Sequence, residues 1–279
     1  MRDFWKRFSR NRGAVIGLVI LILVIALSLF APMLFPRSPW AMVQRPFLPP
    51  FSLDAFPLGT DPMGRDLASG MAHGAGLSLL VGFISTVVSL LIGIPIGALA
   101  GYFGGWVDDV LMRFTEFFQS VPSFALAIVL VAIFQPSIGS IVLAIAIVSW
   151  PPVARLLRGE VMALRAREFV EAAILSGQTS STIIWRQILP NTLSPIIVLS
   201  SMMVAAAILI ESALSFLGLG DPNIMSWGYI IGAGRTVLRQ AWWVSFFPGA
   251  AILLTVLALN LIGEGLNDAL NPRLARQGK

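Results

Sequence analysis

Residues 117–154 read FFQSVPSFALAIVLVAIFQPSIGSIVLAIAIVSWPPVA, 38 positions without a charged side chain. A bilayer-crossing helix needs roughly 20 mostly apolar residues, because hydrocarbon offers backbone N–H and C=O groups no partner but each other. The run is too long for one crossing, and it is broken at Gln135-Pro136-Ser137, a turn signal. It predicts two helices folded back on each other inside a membrane.

Four more apolar runs flank this pair. Gly13 to Pro36 is the first, and Leu67 to Val107 holds another whose apolar part is Leu77 to Gly101. Thr192 to Gly220 contains one acid, Glu211, and Ala241 to Gly263 ends before Glu264. The chain therefore reads as an all-α polytopic membrane protein with six transmembrane helices and both termini on one side. A cleaved signal peptide is the alternative for the first run, since five Lys and Arg fall in the first twelve residues. Its apolar part exceeds the roughly 7–15 residues of a signal core and no small-residue cleavage site follows, which favours a retained helix.

Composition agrees. Of 279 residues, 57% are hydrophobic and 12% charged, against about a quarter charged in soluble domains. Cysteine is absent and histidine occurs once, so thiol chemistry and His-pair metal sites are excluded. The two lysines, Lys6 and Lys279, do not follow a Gly-rich loop, so no phosphate-cradling nucleotide motif is present. Cytoplasmic loops carry the excess of Lys and Arg. With the amino terminus inside, fourteen of the nineteen basic residues fall inside and five (Arg37, Arg45, Arg65, Arg235 and Arg239) fall outside. The net charge of +5 thus reflects topology, not a stripe for nucleic acid. The outside loops carry Trp40, Trp227, Tyr229, Trp242 and Trp243, which predicts aromatic anchors at the membrane interface.

Three regions are expected. Residues 1–76 hold the amino-terminal segment, the first span and a Pro-rich outer loop. Residues 77–272 form a five-helix core, and residues 273–279 a cytoplasmic tail. Inside the core, residues 155–190 are too polar to enter the membrane. Gly159–Ser176 reads as one helix with Phe169, Ala173 and Ser176 on a face, broken at Gly177. Gln178–Leu189 reads as a second helix stopped by Pro190. The small residues Ala172, Ala173 and Gly177 would admit another protein closely. A solvated linker helix, with Arg167 and Glu171 paired at i, i+4, fits equally well.

The string Glu171-Ala172-Ala173-Ile174-Leu175-Ser176-Gly177, followed by Ile188-Leu189-Pro190-Asn191, resembles the EAA loop of the permease subunits of bacterial ABC importers. The commonest form has Ile two residues before Leu-Pro, where this chain has Gln187; that variant is similar to the dipeptide, oligopeptide and nickel branch. Pro57-Leu58-Gly59-Thr60-Asp61 with Gly64-Arg65-Asp66 resembles its C-type permeases, as does the stretch from Glu211 to Gly220 followed by Ser226-Trp227-Gly228. The likeness runs from about residue 10 to about residue 272. It implies a type I ABC importer permease fold with a cytoplasmic coupling helix, in which Glu171, Ala172, Ala173, Gly177, Leu189 and Pro190 seat against the ATPase. It also implies a B-type permease partner, two ATPase subunits that bind ATP and Mg, and an extracytoplasmic solute-binding protein. This chain would bind no cofactor, catalyse no reaction, and sit in the bacterial inner membrane with both termini cytoplasmic. Cargo stays open among peptides, glutathione, nickel and opines.

The remaining polar residues carry weaker signals. An acid within a span costs a few kcal/mol and faces a partner or a pathway, so Glu211 either lines or braces the translocation path or makes a structural hydrogen bond to a neighbouring helix. Asn260 and Glu264 read as packing or interface groups, and His73 as structural. Gly93, Pro95, Gly97 and Pro122 would permit close helix contact or kinks. Asp61 and Asp66 have no base or metal partner in view, and no chemistry is assigned to them. Two rivals use the same composition: an ion-coupled secondary transporter, for which Glu211 alone is thin support, and a non-transporting membrane scaffold.

Overall fold

The computed structural model describes residues 2–270. A short helix α1 (Arg2–Phe8) precedes α2 (Arg12–Leu34), whose first turn is capped by Asn11, the side chain accepting from the Ala14 amide. After a loop comes α3 (Leu67–Phe103), capped in the same way by Asp66. Then follow α4 (Gly105–Ser120), α5 (Ser123–Phe134), α6 (Ile138–Arg165) and α7 (Glu168–Leu175). From Ser180 to Phe216 the chain is helical throughout: α8 (Ser180–Thr182), a π turn (Ile183–Ile188), a 3-10 turn (Leu189–Thr192) and α9 (Leu193–Phe216). The short α10 (Trp227–Gly234) and long α11 (Trp243–Leu270) complete the described residues. The expected tail at 273–279 lies outside them.

Five helical stretches are long and apolar enough to cross a membrane: α2, α3, α6, Ser180–Phe216 and α11. The sixth expected crossing is a bent pair. α4 and α5 meet at 83° across Val121 and Pro122. At about 1.5 Å per residue the 12 residues of α5 span roughly 18 Å, short of the ~30 Å hydrocarbon core. Together the two pass as one broken span, the sixth crossing, whose uncharged part begins at Phe117 after Asp108, Asp109, Arg113 and Glu116. The turn between the two helices of the 117–154 run does fall at Gln135–Ser137. Ser137 caps α6 in a reciprocal box with Ser140, and Gln135 takes a positive φ of 66°.

The centre of the bundle is α3 packed on α6. Gly93, Gly97 and Gly101 recur every four residues, and a Cβ at any of them would strike α6: Val153 at 2.6 Å from Gly93, Arg158 O at 2.6 Å from Gly101, and Ala154 O from Gly97. Bare backbone at these points lets the two helices touch along three turns. α2 reaches α11 by the same device, Gly17 lying against the Ala258 carbonyl. α9 and α11 close the other side, with Ala205, Ile208, Ile252 and Leu259 sharing a core with Trp227.

Two aromatic anchors expected at the interface are buried instead. Trp227 donates its indole N–H to the Met71 carbonyl at 3.0 Å, and Trp243 donates to the Thr60 carbonyl at 3.1 Å. Both rings are core residues because a protein carbonyl, not water, satisfies their one polar atom. Trp40 and Tyr229 stack edge-to-face at 5.2 Å, the Arg65 guanidinium lies 4.6 Å over the Trp40 ring, and Trp242 alone of the loop tryptophans is largely exposed.

Candidate functional site

At one end of the bundle α6 stops at Arg165, and α7 starts three residues later. Arg167 between them is extended (φ −94°, ψ 145°), so Gly159–Ser176 is not the single helix its composition suggested. The break has an electrostatic reason. Glu168 and Glu171 fall in the first turn of α7, where a helix N-terminus favours anions. With Arg167 outside the helix, the i, i+4 pair with Glu171 is not made; the ion pairs among the described residues are Arg65–Asp61 and Arg158–Asp108.

α7 seats by Val170 and Ala173, not by the expected face of Phe169, Ala173 and Ser176. Val170 and Ala173 pack with Ile183, Ile184, Ile188 and Leu189, and with Leu157 and Val161 of α6. Phe169 and Ser176 are exposed. The opposite face is presented outward: Glu168, Glu171 and Ala172 are exposed, Ile174 is 51% exposed and Leu175 is 89% exposed. Gly177 ends the helix at φ 75°. Its amide donates to the Ile174 carbonyl at 2.9 Å and the Gln178 amide to the Ala173 carbonyl at 3.1 Å, the paired bonds of a left-handed helix stop. A Cβ at Gly177 would meet no atom within 4 Å.

Pro190 does not stop the second helix. The π turn before it sets the Leu189 amide on the Ile184 carbonyl, five residues back, and this wider turn takes up the missing donor and ring of the proline. Asn191 Nδ2 donates to the Gln187 carbonyl at 2.6 Å and Thr192 Oγ1 to the Leu189 carbonyl at 2.9 Å. Of the six residues singled out around this loop, Ala173 and Leu189 hold α7 and the turn together. Glu171, Ala172, Gly177 and Pro190 are exposed.

At the opposite end of the bundle lies Glu211, 3% exposed on α9. Ser226 Oγ donates to its Oε1 at 2.8 Å and Ser215 Oγ at 2.9 Å, while Ser212 lies 3.3 Å from Oε2. Ser226 also caps α10, accepting from the Tyr229 amide at 3.0 Å. The carboxylate thereby ties the start of α10 to α9. Asp61 and Asp66 are turn formers: Asp61 Oδ1 accepts from the Met63 and Arg65 amides, and Asp66 accepts from the Ala68 amide. Burial pushes the Asp66 carboxyl upward, opposed by hydrogen bonds from the Ala68 and Ser69 amides. His73 Nδ1 bonds the Ser69 carbonyl at 3.0 Å within α3. Asn260 and Glu264 are exposed on α11.

One polar contact was not anticipated from the sequence. Asp108 on α4 is gripped by Arg158 of α6, Nε to Oδ1 at 2.5 Å and Nη2 to Oδ2 at 2.6 Å. Arg155 Nη1 donates to Gln119 Oε1 at 2.7 Å. Two arginines three apart where an apolar run ends, facing acids that follow Gly104-Gly105, were the available signal.

Residues 93–276 match the family of binding-protein-dependent transport system inner membrane components, and residues 1–50 match the N-terminal transmembrane domain of oligopeptide transport permease C. The di/tripeptide transport system permease protein DppC of Pseudomonas aeruginosa is 42% identical over 98% of this chain and 92% of its own length. The glutathione transport system permease protein GsiD of Pectobacterium atrosepticum is 39% identical over 98% and 91%, and DppC of Bacillus subtilis, a dipeptide permease, is 38% identical over 99% and 86%. An inward facing structure of the MetNI methionine ABC transporter superposes with a TM-score of 0.60 at 16% identity, covering 72% of this chain and 96% of that one. It shares the fold.

Proposed function

This chain belongs to the family of binding-protein-dependent transport system inner membrane components, and from that premise we propose that it is one half of the membrane path of an importer for small peptides, driven through α7. As a permease component of an ABC importer it is set apart from both an ion-coupled transporter and a scaffold. The peptide cargo is inferred from relatives whose names specify di- and tripeptides, dipeptides and glutathione. A B-type permease supplies the other half, two ATPase subunits bind ATP and Mg and hydrolyse the nucleotide, and an extracytoplasmic binding protein delivers cargo. The α7 end of the bundle faces the cytoplasm of a bacterial cell, with both termini on that side.

The observation that carries the coupling role is the outward face of α7. A short helix fixed by Val170 and Ala173 presents Ile174 and Leu175 to solvent beside Glu168 and Glu171. Apolar side chains so exposed fit a groove on another protein. No reactive group is needed; the helix needs a fixed end and a tight seat. ATP-driven closure of the ATPase pair moves α7, and α6 conveys that motion into the bundle.

The experiment is substitution at Gly177 in the assembled transporter. Alanine there meets no steric obstacle, but the left-handed backbone costs about 1–2 kcal/mol with a Cβ present, and it loosens the stop that orients α7. Gly177→Ala lowers uptake while the membrane subunits still assemble, and Gly177→Asn, which tolerates this conformation, restores most of it. If the ATPase subunits do not copurify with the wild-type chain in mild detergent, the reading fails.

A further inference from the structure

α4 is fastened to α6 at three levels, and the fastening lies one helix away from α7. In its first turn Asp108 meets the Arg158 fork. In its middle Phe114 stacks on Trp150 at 5.8 Å and Phe118 meets the same ring edge-on at 5.4 Å. At its last turn Gln119 accepts from Arg155. Immediately beyond come Val121 and Pro122 and the 83° bend into α5.

We infer that Asp108 and Arg158, seconded by Gln119 and Arg155, are positioning residues that make α4 follow α6, so that motion entering at α7 is delivered to the bend before α5. The inference rests on α7 being the coupling helix. α6 stays helical past Trp150, through Pro151 and Pro152, to Arg165, and its Leu157 and Val161 pack with Val170 and Ala173 of α7, so a displacement of α7 reaches Arg158 and Arg155 first and Trp150 across the proline pair. Apolar packing does not hold the charged face of α4. Between it and α6 lies a cavity of about 610 Å³ whose lining is mostly charged, Asp108, Asp109, Arg113, Glu116, Arg155 and Arg158 joined by Met112 and Thr115. Register there is set by directed polar contacts, and a bidentate guanidinium–carboxylate pair is the most directional of them.

The pair is also lopsided. The Asp108 side chain is 13% exposed and that of Arg158 36%. Losing the arginine strands a buried carboxylate, whereas losing the acid frees an arginine that reaches water and still has Asp109 and Glu116 nearby. Arg158→Gln is therefore the more damaging single change.

The test uses the whole transporter (both permeases, the ATPase subunits and the binding protein) in proteoliposomes, reading dipeptide uptake per ATP hydrolysed. Asp108→Asn and Arg158→Gln are each expected to copurify with the ATPase and to hydrolyse ATP, while uptake per ATP falls roughly tenfold in Arg158→Gln and by less in Asp108→Asn. The reciprocal swap D108R/R158D is expected to recover at least half of it. Arg158→Lys, which keeps the charge and loses the fork, falls between. Unchanged uptake per ATP in both single variants overturns the inference, as does a swap no better than they are. Should the wild-type chain itself fail to retain the ATPase, it is the coupling role of α7 that falls. Should Asp108→Asn and Arg158→Gln both fail to assemble, the pair is a folding contact and the inference is overturned.

Discussion

Glu211 shows what one residue states and withholds. A lone acid in an apolar run of helix implies a hydrogen-bonded, inward-facing group, and the structure supplies two serine hydroxyls, Ser215 and Ser226, with Ser212, which donates to the Ile208 carbonyl, close by. Ser215, one turn away on the same helix, was open to inspection. Ser226 was not, because its approach depends on the loop after α9 folding back as α10. A carboxylate serving ion coupling and one that braces α10 respond differently to Gln. Glu211→Gln keeps two acceptor lone pairs and the shape, so uptake stays within a few-fold of wild type and the melting temperature in detergent barely moves. Glu211→Ala leaves buried hydroxyls unpaired, at about 1–3 kcal/mol, and lowers the melting temperature clearly. Abolished uptake in Glu211→Gln with the melt unchanged would assign the carboxylate to the path.

Helices were legible here as apolar runs, but their ends and internal registers were not. Hydropathy marks where a helix lies in lipid, and it marked α2, α3, α6, α9 and α11. It says nothing about a break between two stretches of good helix formers, such as Arg165–Glu168, which the acids of the first turn of α7 decide. Nor does it show that a π turn carries the chain through Pro190; Pro122, read as a possible kink, does mark the bend between α4 and α5. Gly93 and Gly97 of α3 were legible as points of close helix contact, yet Gly101 and the partner all three face were not, since nothing in the sequence says that α6, with Ala154 and Val153, lies opposite. That contact makes a sharp prediction. Gly97→Ala puts a methyl against the Ala154 backbone carbonyl, which has no flexible end to move. The two helices must part, at about 1–3 kcal/mol, and the assembled permease melts several degrees lower. Gly159→Ala, where a Cβ meets nothing within 4 Å, is the control and should melt no lower than wild type.

For the molecule as a whole, orientation is the property on which the coupling role depends, and it is set by charge. Fourteen of the nineteen basic residues fall on the proposed inner side, and within the described residues Arg155, Arg158, Arg165, Arg167 and Arg186 all flank α7. The chain has no cysteine, so single cysteines report topology without any background to remove. Asp54→Cys lies in the exposed loop between α2 and α3, and Leu175→Cys on the outward face of α7. In intact spheroplasts a membrane-impermeant maleimide should label position 54 and leave position 175 untouched. In inverted vesicles the pattern should reverse. Position 175 carries a second reading: if α7 seats in the ATPase, vesicles retaining the ATPase subunits should label it far more slowly than vesicles stripped of them. Labelling of 175 from outside intact cells would place α7 on the wrong face of the membrane for any ATP-driven partner. Equal labelling of 175 with and without the ATPase would leave the topology standing and remove the docking helix.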